Sequence, residues 1–258
     1  MPEYDGLRVE GLNISFGGVH AVNNCSFEVA ERTVVGLIGP NGAGKSTAID
    51  LVSGFKKPDS GRVFFRDQQI VGKAPHSISQ LGLVRTFQSP REWHSLTVMD
   101  NVLIGLKAFR RESLLRGIFS CRRQLRAEDV DRERVRSLLH SFNLTQVKNL
   151  PAGRLSGGQK RLLEFARIAA AAPRFVILDE PMGGVNPVLG ERISSAVRDL
   201  VHHGSTVLVV EHNLPFIEEV CNSVVVMDQG KVIAAGPYSS LRDNKQVVSA
   251  YLGEMDHD

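Results

Sequence analysis

A chain of 258 residues, 42% hydrophobic and 23% charged, has the makeup of an ordinary globular protein with room for one large domain or two small ones. A formal net charge of +3 is too small to argue for a nucleic-acid partner, and no apolar run approaches the roughly 18 residues that a membrane-spanning helix needs. The start, MPEYDGLRVEG, carries acids and no apolar signal core, so any membrane role is expected to come through a partner.

Along the chain, LRVEGLNISF (7–16), NNCSFEVA (23–30) and GRVFFRDQQI (61–70) alternate apolar and polar residues. That pattern predicts half-exposed antiparallel strands. TVVGLIG (33–39), RFVILDE (174–180) and STVLVVEH (205–212) are instead continuous apolar runs with polar or glycine-rich endings. Strands of that kind are buried on both faces, which calls for a parallel sheet covered by helices. Helical patterns follow the first two runs, at 44–53 and about 188–203, giving α/β alternation. The three polar endings are then expected along one sheet edge, where such folds bind ligands.

Residues from roughly 90 to 160 hold no strand run and read as helices, most clearly in LTVMDNVLIGL and DRERVRSLLHSF. Within them, the basic stretch 107–126 reads as a solvated helix face, or as a contact to acidic lipid or a partner. Cys25, Cys121 and Cys221 lack metal-ligand spacing and read as reduced thiols of a cytosolic protein.

The chemistry begins at GPNGAGKST (39–47), which matches G-x-x-x-x-G-K-[ST] between a strand and a helix. Gly39, Pro40, Asn41, Gly42, Ala43, Gly44, Lys45, Ser46 and Thr47 therefore make a phosphate loop. Its glycines let the backbone wrap a phosphate, Lys45 reaches the terminal phosphates, and the Ser46 hydroxyl suits Mg²⁺. FVILDE then places two carboxylates at a strand end: Asp179 to hold Mg²⁺, and Glu180 to polarise an attacking water as general base. His212 ends the third apolar run on the same expected edge, where a neutral imidazole orients water or contacts the terminal phosphate.

A second phosphate-like site stands in RLSGGQKRL (154–162), a Ser and two Gly leading into a helical stretch. GPNGAGKST, LSGGQ, FVILDE and His212, in that order, resemble the nucleotide-binding subunits of ABC transporters over nearly the whole chain. The resemblance implies an α/β fold: a phosphate-loop NTPase (RecA-like) core with a small antiparallel β subdomain and an inserted α-helical subdomain. It implies one nucleotide-binding domain over 1–258, with core and β subdomain at about 1–88 and 160–240, a helical subdomain at about 89–159 and a short tail at 241–258.

It also gives the second site a purpose. Two subunits pack head to tail, and Ser156, Gly157, Gly158 and Gln159 of one chain close over the ATP held by the other. Gln88, in VRTFQSP, matches the glutamine that touches Mg²⁺ and the water; Phe16, in SFGGVHAV, matches the aromatic that stacks on adenine, more often Tyr. GGVNP (183–187) matches a loop that touches the opposite subunit, and Asn186 stands where many members have Asp. The segment 89–101 is where a groove for a permease helix is expected. Trp93, in that segment, is either an interface anchor or a filler of the subdomain core.

FGGVHAVNN, LIGPNGAGKST, GLVRTFQ, GGVNP and the ending AYLGE narrow the resemblance to the ATPase subunits of branched-chain amino-acid importers. That implies ATP hydrolysis coupled to solute movement through membrane permease subunits, with a second ATPase subunit as head-to-tail partner and a substrate-binding protein acting through the permeases. It implies a peripheral position on the cytoplasmic face of the inner membrane. Lipopolysaccharide-type exporter ATPases have a similar ending and are the alternative. A soluble ABC ATPase usually carries two ATPase units or a long coiled coil, and this chain has neither.

Overall fold

The computed structural model describes residues 6–86, 92–107 and 121–252. In chain order the elements are β1 (Leu7–Phe16), β2 (Val19–Val29), β3 (Val34–Ile38), α1 (Lys45–Val52), β4 (Ser60–Phe65) and β5 (Gln68–Gln69). There follow α2 (Pro75–Gln80), β6 (Leu83–Arg85), α3 (Val98–Lys107), α4 (Cys121–Ser141) and α5 (Gly157–Ala171). The last are β7 (Phe175–Asp179), α6 (Pro187–His202), β8 (Thr206–Val210), α7 (Leu214–Val220), β9 (Ser223–Asp228), β10 (Lys231–Gly236), α8 (Tyr238–Leu241) and α9 (Lys245–Leu252).

These residues divide into two compact units. One takes Met1–Gln88, Arg174–Gly184 and Ser194–Asp258; the other takes Ser89–Pro173 and Val185–Ile193. The second therefore holds the whole of α5.

The first unit contains both sheets. The three continuous apolar runs become β3, β7 and β8, and every residue in each of these strands is buried. They lie inside a six-stranded sheet of order β10-β9-β3-β8-β7-β6, parallel except for β10 at one edge. The alternating runs form a four-stranded antiparallel sheet of order β2-β1-β4-β5 with alternating burial. One expected strand divides: 61–70 breaks at Arg66 and Asp67, whose φ of 51° and 57° make the two-residue hairpin between β4 and β5. A single core joins the sheets. Phe65 of β4 meets Phe175 of β7 edge to face, with ring centroids 5.9 Å apart.

Three strands add to those expected. β6 is only three residues long and reads as strand only through its pairing with β7. β9 carries VVVM (224–227), an apolar run of the same kind as the other three, and a turn at Gln229 and Gly230 folds β10 back on it. Cys25 and Cys221 are free thiols of this unit, and burial pushes each up to about 12, which keeps them protonated and inert.

The helical unit packs α3, α4 and α5 around Val98, Val102, Val135, Leu139, Leu163 and Ala166. Its one described β feature is an isolated bridge between Thr97 and Pro151. No helix among the described residues is long and apolar enough to cross a membrane. Residues 108–120 of the basic stretch lie outside the described part.

Phe175→Ala removes the fully buried ring that ties one sheet to the other, and is expected to destabilise the chain by roughly 3–5 kcal/mol in urea unfolding. A loss below about 1 kcal/mol would show that the two sheets do not share this core.

Candidate active site

Backbone pairing sets the place of the site. Val210 of β8 is the register partner of both Leu37 in β3 and Asp179 in β7, so the three buried strands end in one row. The next residues are Gly39, Glu180 and Glu211–His212. The expected edge is thus present, and the phosphate loop and both carboxylates leave from it.

The loop curls from β3 into α1 through Gly39, Gly42 and Gly44, with φ of 147°, 76° and 93°. A Cβ on Gly39 would lie 2.0 Å from the Met227 carbonyl oxygen, and one on Gly44 would lie 2.3 Å from that of Ala21. No larger residue fits at either position without moving backbone. The Lys45 ammonium donates to the carbonyl oxygens of Gly39 and Pro40, both at 2.7 Å, and so sits within the ring of the loop. Gly44, the residue before α1, has no side chain to cap the helix, and Asn41, Gly42 and Ser46 are exposed. The first-turn N–H groups of α1 and its positive dipole end thus face the loop.

Asp179 is 4% exposed. Its N–H donates to the Thr86 hydroxyl at 3.1 Å, and its Oδ2 accepts from Arg85 Nη2 at 2.9 Å. Its Oδ1 is buried and has no hydrogen-bond partner among the described residues. Arg85 Nη1 reaches α1, donating to Asp50 Oδ1 at 2.6 Å and to the Ser53 hydroxyl at 3.2 Å. Lys56 also pairs with Asp50. Burial by itself would raise the Asp50 carboxyl. The hydrogen bonds from Lys56 and Arg85, with their charges, outweigh it and hold the group below the usual carboxylate range.

Glu180 is half-buried and has φ of 47°, a left-handed conformation that is uncommon outside glycine. Its N–H donates to the Val210 carbonyl at 2.9 Å, and its carbonyl accepts from Gly183 N–H at 3.1 Å. His212 is 69% exposed on its side chain, with its Nδ1 3.8 Å from Glu211 Oε2. Glu211 is 1% exposed: Oε1 accepts from Met182 N–H at 2.7 Å, and Oε2 from the N–H groups of His212 and Asn213 at 2.9 and 3.1 Å. One carboxylate therefore pins the turn after Glu180 to the turn that carries His212. Phe16 ends β1 with 48% exposure, before the Gly17–Gly18 turn, and the Lys56 ammonium is 5.9 Å from its ring centre. Gln88 lies outside the described residues.

In the helical unit, Ser156 caps α5. Its hydroxyl accepts from Gln159 N–H at 3.3 Å, and the Gln159 side chain accepts from Ser156 N–H at 3.0 Å, a reciprocal capping box. Ser156 and Gly157 are exposed, and a Cβ on Gly157 would meet nothing within 4 Å. Asn186 starts α6 in the same way, its side chain accepting from Leu189 N–H at 2.9 Å. Trp93 stays 43% exposed rather than filling the core, with the Arg167 guanidinium 4.3 Å from its ring centre. The buried Asn101 side chain holds the Trp93 backbone on both sides, N–H at 3.0 Å and carbonyl at 3.1 Å.

The family model described as ABC transporter matches residues 22–183, from β2 to the turn after Glu180. The chain belongs to the ABC transporter family. It is an ATP-binding, ATP-hydrolysing subunit of that family, and its phosphate loop and FVILDE strand end fall inside the matched span. The high-affinity branched-chain amino acid transport ATP-binding protein BraF of Pseudomonas aeruginosa is 37% identical over 249 residues, 96% of this chain and 98% of its own. The LivG protein of the same description from Escherichia coli K12 is 35% identical over the same shares. The solved ADP conformation of an ATP-binding cassette of an ABC transporter superposes with a TM-score of 0.80 at 34% identity, covering 96% of this chain and 98% of that one. A nucleotide-free cassette gives 0.79 at 34% identity, with 95% and 98% covered.

Two residues of this ABC subunit's site escaped the sequence reading. Arg85 sits in GLVRTFQ, a stretch that carries part of the family resemblance, but nothing local announces its carboxylate partners on α1 and β7. Glu211 had a signal, a carboxylate directly before His212 at a buried strand end. Glu211→Gln would turn an amide NH₂ toward backbone N–H donors on one side of the side chain. The expected cost is about 1–3 kcal/mol in thermal unfolding, and an unchanged melting temperature would refute the bridge.

Proposed function

We propose that this subunit hydrolyses ATP in a head-to-tail pair and couples closure of the pair to solute movement through membrane permeases, the solute being a branched-chain amino acid or a related small molecule. The observation that carries the reading is the row in which β3, β8 and β7 end, because it places loop, acid pair and His212 together. The names of the relatives support the solute class.

In this reading the loop N–H groups and Lys45 hold the β- and γ-phosphates, and Phe16 lies against the adenine. Glu180 accepts a proton from the water whose oxygen attacks the γ-phosphorus; the bond to the β-phosphate oxygen breaks and ADP leaves with that oxygen's charge. His212 orients the water or contacts the γ-phosphate, and Gln88 has the same water as its expected target. Mg²⁺ fits the residues present. One buried carboxylate oxygen without a partner and one exposed hydroxyl, with phosphates completing the set, match a cation bound through one or two carboxylates. Asp179 Oδ1 and Ser46 would hold it, and when bound it neutralises phosphate charge.

Ser156, Gly157, Gly158 and Gln159 serve the nucleotide of the opposite chain, so ATP binding energy becomes closing energy. Permeases place the subunit peripherally on the cytoplasmic face of the membrane, and a substrate-binding protein acts through them.

Glu180→Gln is expected to keep ATP binding and to lower turnover at least about a hundredfold, since a positioned base contributes 10²–10⁴. Turnover above half of wild type would remove Glu180 from the base role. The same variant, with Mg-ATP, is the bait for a pull-down from native membranes. Two distinct permeases and a second ATPase support the amino-acid transporter reading. One kind of membrane partner with this ATPase alone favours an exporter, and no membrane protein at all overturns transport.

Ser156→Arg tests the head-to-tail arrangement. Turnover is expected to stop while the isolated chain still binds nucleotide. Loss of binding in the isolated chain would place the Ser156 site in its own nucleotide pocket instead.

A further inference from the structure

We propose that Arg85 is a positioning residue that fixes Asp179 as a one-oxygen metal ligand and ties it to the phosphate-loop helix. The proposal rests on the reading of Asp179 as the Mg²⁺ carboxylate, given above.

The guanidinium is the meeting point of three elements. It leaves the end of β6, with its side chain 8% exposed. One nitrogen reaches Asp50 on α1 and Ser53 just past its end, and another reaches Asp179 at the end of β7. The two contacts use the planar fork that arginine has and lysine lacks. Phe55, three residues past the end of α1, lies with its ring centre 5.6 Å from the same guanidinium.

Three consequences follow from this geometry. First, Asp179 is asymmetric: Oδ2 is committed to Arg85, and among the described residues Oδ1 is left buried without a hydrogen-bond partner. An orphaned buried carboxylate oxygen is costly unless something fills the place, and a cation or its water does so. Second, among the described residues Arg85 and Lys56 face Asp50 and Asp179, two cations against two carboxylates. A partly buried acid pair with only one cation would carry an uncompensated charge. Third, α1 begins at Lys45 and carries Asp50 on its second turn. Through Arg85, the helix that bears Lys45 and Ser46 is braced against the strand that bears Asp179. The two halves of a metal site drawn from different elements are thereby held in one geometry. Such outer-shell partners set ligand orientation, and losing one typically lowers metal affinity 10–100-fold.

The test measures binding of a fluorescent ATP analogue to the full-length chain, first in EDTA and then across a Mg²⁺ titration. The variants are Arg85→Met, Arg85→Lys and Asp179→Asn, each referred to its own EDTA baseline. Arg85→Met is expected to raise the Mg²⁺ concentration for half-maximal enhancement about tenfold or more. Arg85→Lys keeps the charge but cannot span both carboxylates, so it should fall between Met and wild type.

A purely structural arginine would lower the melting temperature of Arg85→Met and leave its Mg²⁺ curve within about twofold of wild type, which would overturn the proposal. If that happens while Asp179→Asn shifts the curve, only the role of Arg85 fails. If Asp179→Asn leaves the curve unmoved as well, the metal assignment fails with it. Should Arg85→Met not fold, Arg85→Lys decides: a shifted Mg²⁺ curve upholds the proposal, and a wild-type curve overturns it.

Discussion

Hydrogen-bond register between three buried strands is the constraint on which the site depends. β3, β7 and β8 have no solvent-facing side, so each is apolar through its middle and carries polar groups only at or past its ends. Their parallel pairing then decides where those ends fall. With Val210 opposite both Leu37 and Asp179, the phosphate loop, the Asp179–Glu180 pair and Glu211–His212 leave the sheet in one row. A slip by one residue in either pairing would turn the side chains of a strand to the other face and carry Asp179 away from the loop. The core that fixes the register, with Phe175 at 0% exposure against Phe65, is therefore also what sets the active-site geometry.

Much of this was legible in the chain because it is local. A run such as FVILD states its own burial, and the loop motif states its own turn through glycines at fixed spacing. What was not legible is what depends on a partner distant in sequence. β6 has three residues and no pattern, and only its pairing with β7 makes it a strand. Nothing local marks Arg85, and its contacts arise because Asp50 and Asp179 converge on it in space. Trp93 illustrates a middle case. Its two readings were equally open in the sequence, and the anchoring of its backbone by the buried Asn101 side chain leaves the ring exposed.

The signature segment shows how one set of atoms serves structure and binding together. The Ser156 hydroxyl and the Gln159 amide engage each other's backbone, so in this chain they are first of all a capping box. That box accounts for the N–H groups of Ser156 and Gln159. The first-turn N–H groups of Gly157 and Gly158 are left at an exposed helix end with positive dipole. Gly157 keeps the approach open, since a Cβ there would stand in empty space in front of it, whereas a Cβ on Gly158 would lie 3.1 Å from Leu189. Behind the cap, Lys160 pairs with the buried Glu92 carboxylate at 2.7 Å. Burial alone would raise Glu92; the hydrogen bond and charge of Lys160 hold it low, so the carboxylate stays ionised at neutral pH. The helix end is thus held by its own capping box and by the Lys160–Glu92 pair behind it.

Rigidity of the same kind governs Glu180. A left-handed backbone at a residue with a Cβ costs of order 1 kcal/mol, and it persists only where its surroundings over-determine it. Here the surroundings are visible. Val210 holds the Glu180 N–H, Gly183 closes the turn on the Glu180 carbonyl, and Glu211 takes the Met182 N–H from the neighbouring strand end. β8 therefore sets the conformation of a residue that β7 supplies. Glu180 and His212 are not independently placed, because the carboxylate that fixes the turn after one also holds the N–H of the other. A change that loosens Glu211 must reach both, whereas a change at Arg85 acts through Asp179 and α1. The site is thus braced from two directions, by Glu211 behind Glu180 and His212 and by Arg85 behind Asp179. The two braces act on neighbouring residues, Asp179 and Glu180, which one peptide bond joins.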